Sequence, residues 1–494
     1  MASDLADLLS DSAAALIEGT PKRLFIGGCW VTPASEDRFD VDDPADGTII
    51  AGVADGSPAD AIKCIDAAEA AASTWSSHSP RSRSDILMEC FHAMHRRAED
   101  LAVLISVESG KALTDARAEV SYAAEFFRWF AEEAVRIPGD LGLAPFGTGR
   151  IAVQHQPVGI SLLITPWNFP AAMAARKIAP ALAAGCTCIL KPAAETPLTA
   201  LALAEIVHEA GAPPGTLNVL TTSRPAEAVK VMLDDGRIRK LSFTGSTSVG
   251  KLLLRQAAEH VVNCSMELGG NAPFIVFDDA DIDAALNGAL TAKMRNAGET
   301  CIAANRFLVQ SDVYEAFAAK LAERMNRIVV GRGRYTATEC GPLISKNALE
   351  KVSTLVDQAA VHGGRILTGG GTLESDGYYY PPTVIADVDP GSEILNREIF
   401  GPVAPLVRFD SEDQAIRLAN DTEYGLAAYI FTRDVQKGLR VADRIDAGMV
   451  AINRGSLSDV AAPFGGMKHS GIGREGGTYG ILEYLETKYI SISW

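Results

Sequence analysis

Three short segments carry side chains whose types complement one another chemically. NAGETCIAANR at 296–306 holds Cys301, MELGGNAP at 266–273 holds Glu267, and TPWNFP at 165–170 holds Asn168. Each ends or interrupts an apolar stretch with small residues, which suits a loop that places a side chain in a cleft. Read singly, each has a plain structural role: Asn168 as a helix cap before Pro170, Glu267 as a solvated strand end, Cys301 as a core thiol. Read together, they supply a thiol nucleophile, a carboxylate base and an amide donor for developing negative charge.

The elements that must position these loops follow from periodicity. Ile62, Ile65, Ala68, Ala72 and Trp75 recur at helical spacing, a longer helical stretch runs from about Ser82 to Ser109, and the opening third reads as helix-rich. From Ile151 the texture changes to β-branched and apolar runs, IAVQHQPVGISLLITP, CTCILKP, LNVLT and RKLSFTG, separated by helical segments such as PLTALALAEIVHEAG and PAEAVKVMLDD. Strands alternating with helices predict a parallel sheet covered on both faces. A second alternating series, from about Asn263 through Ile452, predicts another α/β domain. There is no internal repeat and no low-complexity segment beyond a Gly-rich turn at Gly369–Gly371.

A phosphate-bearing ligand would sit at the carboxyl ends of the first series, where helix N-termini offer free N–H groups. LSFTGSTSVGK is the candidate: a strand ending at Phe243, a glycine turn from Gly245 to Gly250, and a helix from about Thr247. Its glycines are not at the usual dinucleotide spacing, so an ordinary strand-to-helix turn is the alternative. The G-x-G-x-x-G string GIGREG at 471–476 follows no apolar strand and is rejected.

Composition excludes several classes. The chain has 494 residues, 47% of them hydrophobic, enough for two or three structural units. Its 62 acidic against 45 basic residues give a net charge of −17 spread along the chain, so a nucleic-acid partner is not expected. The leader MASDLADLLSDSAAALIEG is acidic and amphipathic, unlike a secretory or organellar signal, so a cytoplasmic location is expected. The longest apolar stretch, 178–190, is shorter than the ~20 residues of a membrane span. The eight cysteines (29, 64, 90, 186, 188, 264, 301 and 340) form no C-x-x-C pair or zinc-ligand cluster, which predicts a reduced compartment and no metal.

At this point the chain resembles the aldehyde dehydrogenase superfamily over nearly its full length. The resemblance is carried by TPWNFP, KPA at 191–193, FTGS at 243–246, MELGG at 266–270, GETC at 298–301, EIFGP at 398–402 and PFGG at 463–466. It implies an α/β fold of two doubly wound domains plus a small bridging, oligomerising β-sheet. The implied dinucleotide-binding domain covers 1–138 and 157–262, the catalytic domain 263–455, and the oligomerisation segments 139–156 and 478–494. The C-terminal KYISISW alternates enough to be a strand, whether paired with another subunit or within its own chain, and a homodimer or homotetramer is expected.

The resemblance also implies a mechanism. The Cys301 thiolate attacks the aldehyde carbon, and the Asn168 amide with the Cys301 N–H holds the oxyanion. Hydride passes to a nicotinamide, and Glu267 activates water to release the acid. For the cofactor it implies Thr165 and Trp167 in the cleft, Lys191 on the adenosine ribose, Gly245 and Ser246 near the pyrophosphate, and Glu398 with Phe400 around the nicotinamide. Ala194 stands where NAD-preferring relatives often carry a glutamate that would repel a 2′-phosphate. NAD⁺ or NADP⁺ is therefore expected, with NADP⁺ slightly favoured, although Glu195 follows immediately.

Within the superfamily the chain looks most like the succinate-semialdehyde dehydrogenases, through AAMAARKIAPALAAG (171–185), NAPFIVFDDADID (271–283), NDTEYGLAAYIFTRD (420–434) and PFGGMKHSGIGREG (463–476). That resemblance maps a substrate-carboxylate site onto Arg176, Arg295 and Ser458. Arg454 would stand at the tunnel mouth, and Ala303 replaces the second cysteine that some relatives use as a redox lock. Glutarate semialdehyde, another ω-oxo acid or a general aldehyde are alternative substrates; a cysteine esterase and a silent structural protein are alternative classes.

Overall fold

The computed structural model describes residues 13–493. Five parallel strands form the middle of an eight-stranded sheet, in spatial order Asn263–Glu267, Ile238–Thr244, Ile160–Ile164, Cys188–Lys191 and Leu217–Val219. Antiparallel strands close its edges, Gly471–Ile472 on one side and Leu24–Ile26 with Cys29–Val31 on the other. Side chains alternate between two cores. Leu163 faces one, with Leu190 and the helix Pro170–Ala184, whereas Leu162 and Ile164 face the other, with Ile65 and Leu241. Burial on both faces is what a near-continuous apolar strand dictates.

The parallel order reverses between Ile160–Ile164 and Ile238–Thr244. Helices leave these two strands toward opposite faces, and a crevice opens at their carboxyl ends. TPWNFP continues the first strand and GST the second, so two of the sequence motifs flank that crevice.

A second sheet runs Arg365–Thr368, Thr383–Ala386, Val403–Phe409, Ala304–Gln310, Ala272–Val276, Ala427–Phe431 and Met449–Ile452, all parallel except the first. It too is covered on both faces: Phe274 and Phe307 point into one core, Ile275 and Leu308 into the other. Cys301 lies just before the amino end of Ala304–Gln310, and Glu398 and Phe400 just before Val403–Phe409. The carboxyl ends of the first sheet thus face the amino ends of the second.

Several expectations are corrected. The opening third is helix-rich, as expected, but it also contains four short strands, Leu24–Ile26, Cys29–Val31, Arg38–Asp43 and Thr48–Ala54, before its first long helix, Pro58–Ser77. The single helix expected over 82–109 is two, Pro80–Arg96 and Ala98–Ser109, broken at Arg97 where ψ reaches 18°. The division at 262/263 falls one strand early, because Asn263–Glu267 is hydrogen-bonded along Ile238–Thr244. The strand expected to end at Phe243 extends to Thr244. Of the acidic leader, residues 1–12 lie outside the described residues, and 13–19 are helical.

The C-terminal strand Leu485–Ile492 pairs antiparallel with Arg150–Pro157 of its own chain, and Asp140–Leu143 completes a three-stranded sheet. Trp494 lies outside the described residues. Both outer strands keep an unpaired edge, and Leu141, Leu143, Phe146 and Tyr489 are exposed beside them. No helix among the described residues is long and apolar enough to cross a membrane.

Candidate active site

A cavity of about 250 Å³ lies between the two sheets. Trp167, Asn168, Arg176, Gly245, Ser246, Arg295, Cys301, Glu398, Phe400 and Ser458 all line it. Glu267, Thr165, Lys191 and Ala194 do not. Arg454 is exposed and also lies outside the lining.

The Cys301 loop is held by strained backbone. Asn296 and Ala297 adopt φ of 51° and 52°, and Phe400 across the cavity adopts 56°. Left-handed conformations at non-glycine residues are costly and persist only where neighbours enforce them. Here the Asn296 N–H donates to Asp115 Oδ2 at 2.8 Å, and its Nδ2 donates to the carbonyls of Asn168 and Glu299 at 3.0 and 3.1 Å. One side chain therefore ties the asparagine loop to the cysteine loop.

Asn168 is fixed from both ends. Its Nδ2 donates to Glu299 O at 3.0 Å, and its carbonyl accepts from Lys111 Nζ at 2.7 Å. It is not a helix cap, since Phe169 takes that position and makes no side-chain cap bond. An amide has two N–H donors, and one remains for the cavity that Asn168 lines. Lys111 in turn pairs with Glu119 at 2.5 Å, both wholly buried, and Glu119 Oε1 accepts the first-turn N–H groups of Ala171 and Ala172 at 2.8 and 3.2 Å. The helix that carries Arg176 is anchored through the same pair.

Burial pushes the Cys301 thiol up to about 12, with Glu398 and Glu267 acting the same way and Arg176 opposing them. At neutral pH this thiol is protonated, and Arg176 is the charge that favours its ionised form. Glu267, expected as a solvated strand end or a base facing the cleft, is instead 2% exposed. A Cβ built on Gly465 would fall 2.9 Å from its Oε1, and its Oε2 has no hydrogen-bond partner. Burial and the neighbouring Glu475 raise its carboxyl well above the usual range, against Lys177, Arg176 and Arg474. In this conformer the carboxyl does not line the cavity, and burial there favours its protonated form.

One end of the cavity carries two arginines. Arg295 Nη1 donates to Ser458 Oγ at 2.7 Å, and its guanidinium lies 4.9 Å from the Phe169 ring. Arg176 stacks on Phe464 at 4.2 Å and stands 3.6 Å from Glu475 Oε2. Glu475 also takes Lys177 Nζ at 2.5 Å. Sequence reasoning missed Tyr122, Lys111 and Glu119, because each reaches the site from a segment with no motif of its own, and it gave no role to Glu475 although that residue lies within PFGGMKHSGIGREG.

The remaining lining fits a dinucleotide. Ser246 caps the helix Thr247–Ala258, its Oγ accepting from Val249 N at 3.4 Å, which leaves the N–H groups of Thr247 and Ser248 without partners inside the helix. Trp167 and Phe400 stand edge to face, centroids 5.5 Å apart, as walls for a planar ring. Glu398 accepts from Gly270 N at 3.0 Å. Lys191 ends its strand buried, its ammonium lowered to about 8 by burial with Glu195 as the countering charge. Its carbonyl accepts from Thr165 N at 3.2 Å. Ala194 is half-buried and Glu195 exposed.

A thiol, an amide and an arginine pair are gathered at the crevice of a doubly wound sheet, beside walls that fit a dinucleotide. The sequence model of the aldehyde dehydrogenase family matches residues 30–490, and the chain belongs to that family. A succinate-semialdehyde dehydrogenase of Paenarthrobacter nicotinovorans is 52% identical over 445 residues, 90% of this chain and 99% of that protein. A probable NADP(+) succinate-semialdehyde dehydrogenase of Sinorhizobium fredii is 48% identical over 455 residues, 92% of this chain and 93% of that protein. The solved succinate-semialdehyde dehydrogenase from Burkholderia pseudomallei superposes with a TM-score of 0.95 at 45% identity, covering 97% of this chain and 99% of that one.

Proposed function

We propose that this enzyme oxidises a short aldehyde with a distal carboxylate, succinate semialdehyde first, to the corresponding acid. The observation that carries the substrate reading is the Arg295–Ser458 hydrogen bond of 2.7 Å in the same cavity as Arg176 and Cys301. A guanidinium pair recognises a carboxylate through charge-assisted hydrogen bonds that a neutral aldehyde cannot make.

With the carboxylate held there, the Cys301 thiol gives its proton to solvent water, Sγ attacks the aldehyde carbon as thiolate, and the C=O π pair moves onto oxygen. The free N–H of Asn168 and the backbone N–H of Cys301 hold that charge. Bound NAD(P)⁺ supplies the hydride acceptor that oxidises this carbon. Water then opens the Cys301 thioester, and Glu267 takes the proton from that water once its carboxyl turns from Gly465 toward the cavity. A base beside the nucleophile favours release of the free acid.

NADP⁺ is the favoured cofactor, because Ala194 leaves room without negative charge where the ribose 2′ position would lie beside Lys191. The 1–138 and 157–267 segments would carry the dinucleotide, and 268–455 the nucleophile. Eight unpaired thiols suit a cytoplasmic, reducing setting. The exposed apolar residues along the open edges of the three-stranded sheet suit a homodimer or homotetramer.

The deciding measurement is kcat/KM for succinate semialdehyde, glutarate semialdehyde and butanal, each with NAD⁺ and NADP⁺. A preference of about tenfold or more for a semialdehyde, ~1.4 kcal/mol in the barrier, supports the arginine site and selects its chain length. Equal or better turnover of butanal makes the enzyme a general aldehyde oxidiser.

A further inference from the structure

Tyr122 comes from the helix Leu113–Ala134, which holds none of the family's motifs, yet it lines the cavity at the arginine end. Its hydroxyl accepts a hydrogen bond from Arg176 Nη2 at 2.8 Å. The guanidinium carbons of Arg176 and Arg295 lie 5.7 and 5.9 Å from its ring centroid, so the ring lies against both cations.

The direction of that hydrogen bond decides what the phenol can do. An arginine only donates, so the phenol oxygen spends a lone pair on Arg176 and keeps its own proton for another acceptor. The ring beside it, Phe126 at 4.9 Å, offers no lone pair. Glu475 Oε2, 3.6 Å from Arg176 Nη1, receives no hydrogen bond, so the phenol proton is not used there. Ser458 Oγ stands in the same relation to Arg295 and likewise keeps its proton. The anion end of the cavity therefore pairs each guanidinium with a hydroxyl whose donor is unspent.

We infer that Tyr122 is a specificity-determining residue whose hydroxyl both fixes Arg176 and donates to the terminal carboxylate of the substrate. This rests on the ω-oxo-acid reading above. A carboxylate has two oxygens and about four lone-pair directions, enough to accept from both guanidinium groups and both hydroxyls. A neutral aldehyde leaves all these donors unmet, and selectivity follows from that difference.

The test is Tyr122→Phe, which removes the hydroxyl and keeps the ring against both arginines. Steady-state kinetics on succinate semialdehyde and butanal are compared with wild type. The expected result is a KM for the semialdehyde raised about tenfold, with a severalfold smaller change in kcat/KM for butanal, while an unchanged circular dichroism spectrum and thermal unfolding midpoint show that the variant folds. An unchanged semialdehyde KM, or equal losses on both substrates, overturns the assignment of Tyr122 alone. A wild-type enzyme with no preference for the semialdehyde overturns the substrate reading and this assignment with it.

Discussion

Gly270 and Cys301 are in steric contact through backbone alone: a Cβ built on Gly270 would fall inside the van der Waals envelope of the Cys301 carbonyl oxygen. The glycine of one motif thus sets the depth of the nucleophile in another. Gly270→Ala would force the cysteine loop outward. A misplacement of ~1 Å at a reacting atom costs about a hundredfold in rate. We expect kcat to fall by about that factor with circular dichroism unchanged; near-normal turnover would contradict the contact.

The raised Cys301 thiol predicts how the cofactor-free enzyme reacts with alkylating agents. The thiolate is the reactive form, and its fraction grows about tenfold per pH unit below the thiol pKa. Iodoacetamide labelling of the Cys301 peptide, followed by mass spectrometry, should therefore climb at about that rate from pH 7 to 9. Arg176→Met removes a charge that lowers this pKa and should slow labelling throughout. A flat profile would show an already ionised thiol.

Glu267 predicts the acid limb of turnover. A base must be deprotonated to accept a proton, and this carboxyl is raised by burial and by Glu475. Activity should therefore be full above the raised pKa and fall as pH drops through it, at a pH above the ordinary carboxylate range. Glu267→Gln should remove that limb and slow thioester hydrolysis about 10²- to 10⁴-fold, leaving a pre-steady-state burst of reduced cofactor. Loss of the burst together with the steady state would assign Glu267 to the first step instead.

The buried Lys111–Glu119 pair should reveal itself by non-additivity. Removing one partner of a buried ion pair leaves an uncompensated charge and costs about 3–5 kcal/mol. Lys111→Met and Glu119→Gln should each lower the thermal unfolding midpoint, and the double variant should recover part of the loss. Additive losses would mean that the two residues act separately.

The strands Ile160–Ile164 and Ile238–Thr244, and the loops that follow them, were legible because long apolar runs end in glycine, proline and small polar residues. The three-residue strands near the N-terminus were not, since Leu24–Ile26 and Cys29–Val31 are too short to establish a period of two. The break at Arg97 carries neither glycine nor proline. Cys301, Asn168, Arg176, Arg295 and Ser458 were placed by motif, and folding brings them to one cavity. The orientation of Glu267 was not legible, because it depends on how closely Gly465 approaches a strand end almost two hundred residues away. Tyr122, 54 residues before Arg176, meets it only through packing of two helices.

The cavity spans two sheets, with Trp167 and Ser246 on one and Cys301 and Phe400 on the other. Anything that fills it contacts both halves at once and acts as a mortar between them. By mass action, a ligand at a hundred times its dissociation constant adds about 2.7 kcal/mol to the folded state. Part of that gain resists separation of the halves, so dinucleotide and carboxylated aldehyde, though they touch different walls, should each slow proteolysis of the buried segment that joins the strands ending at Glu267 and starting at Ala272.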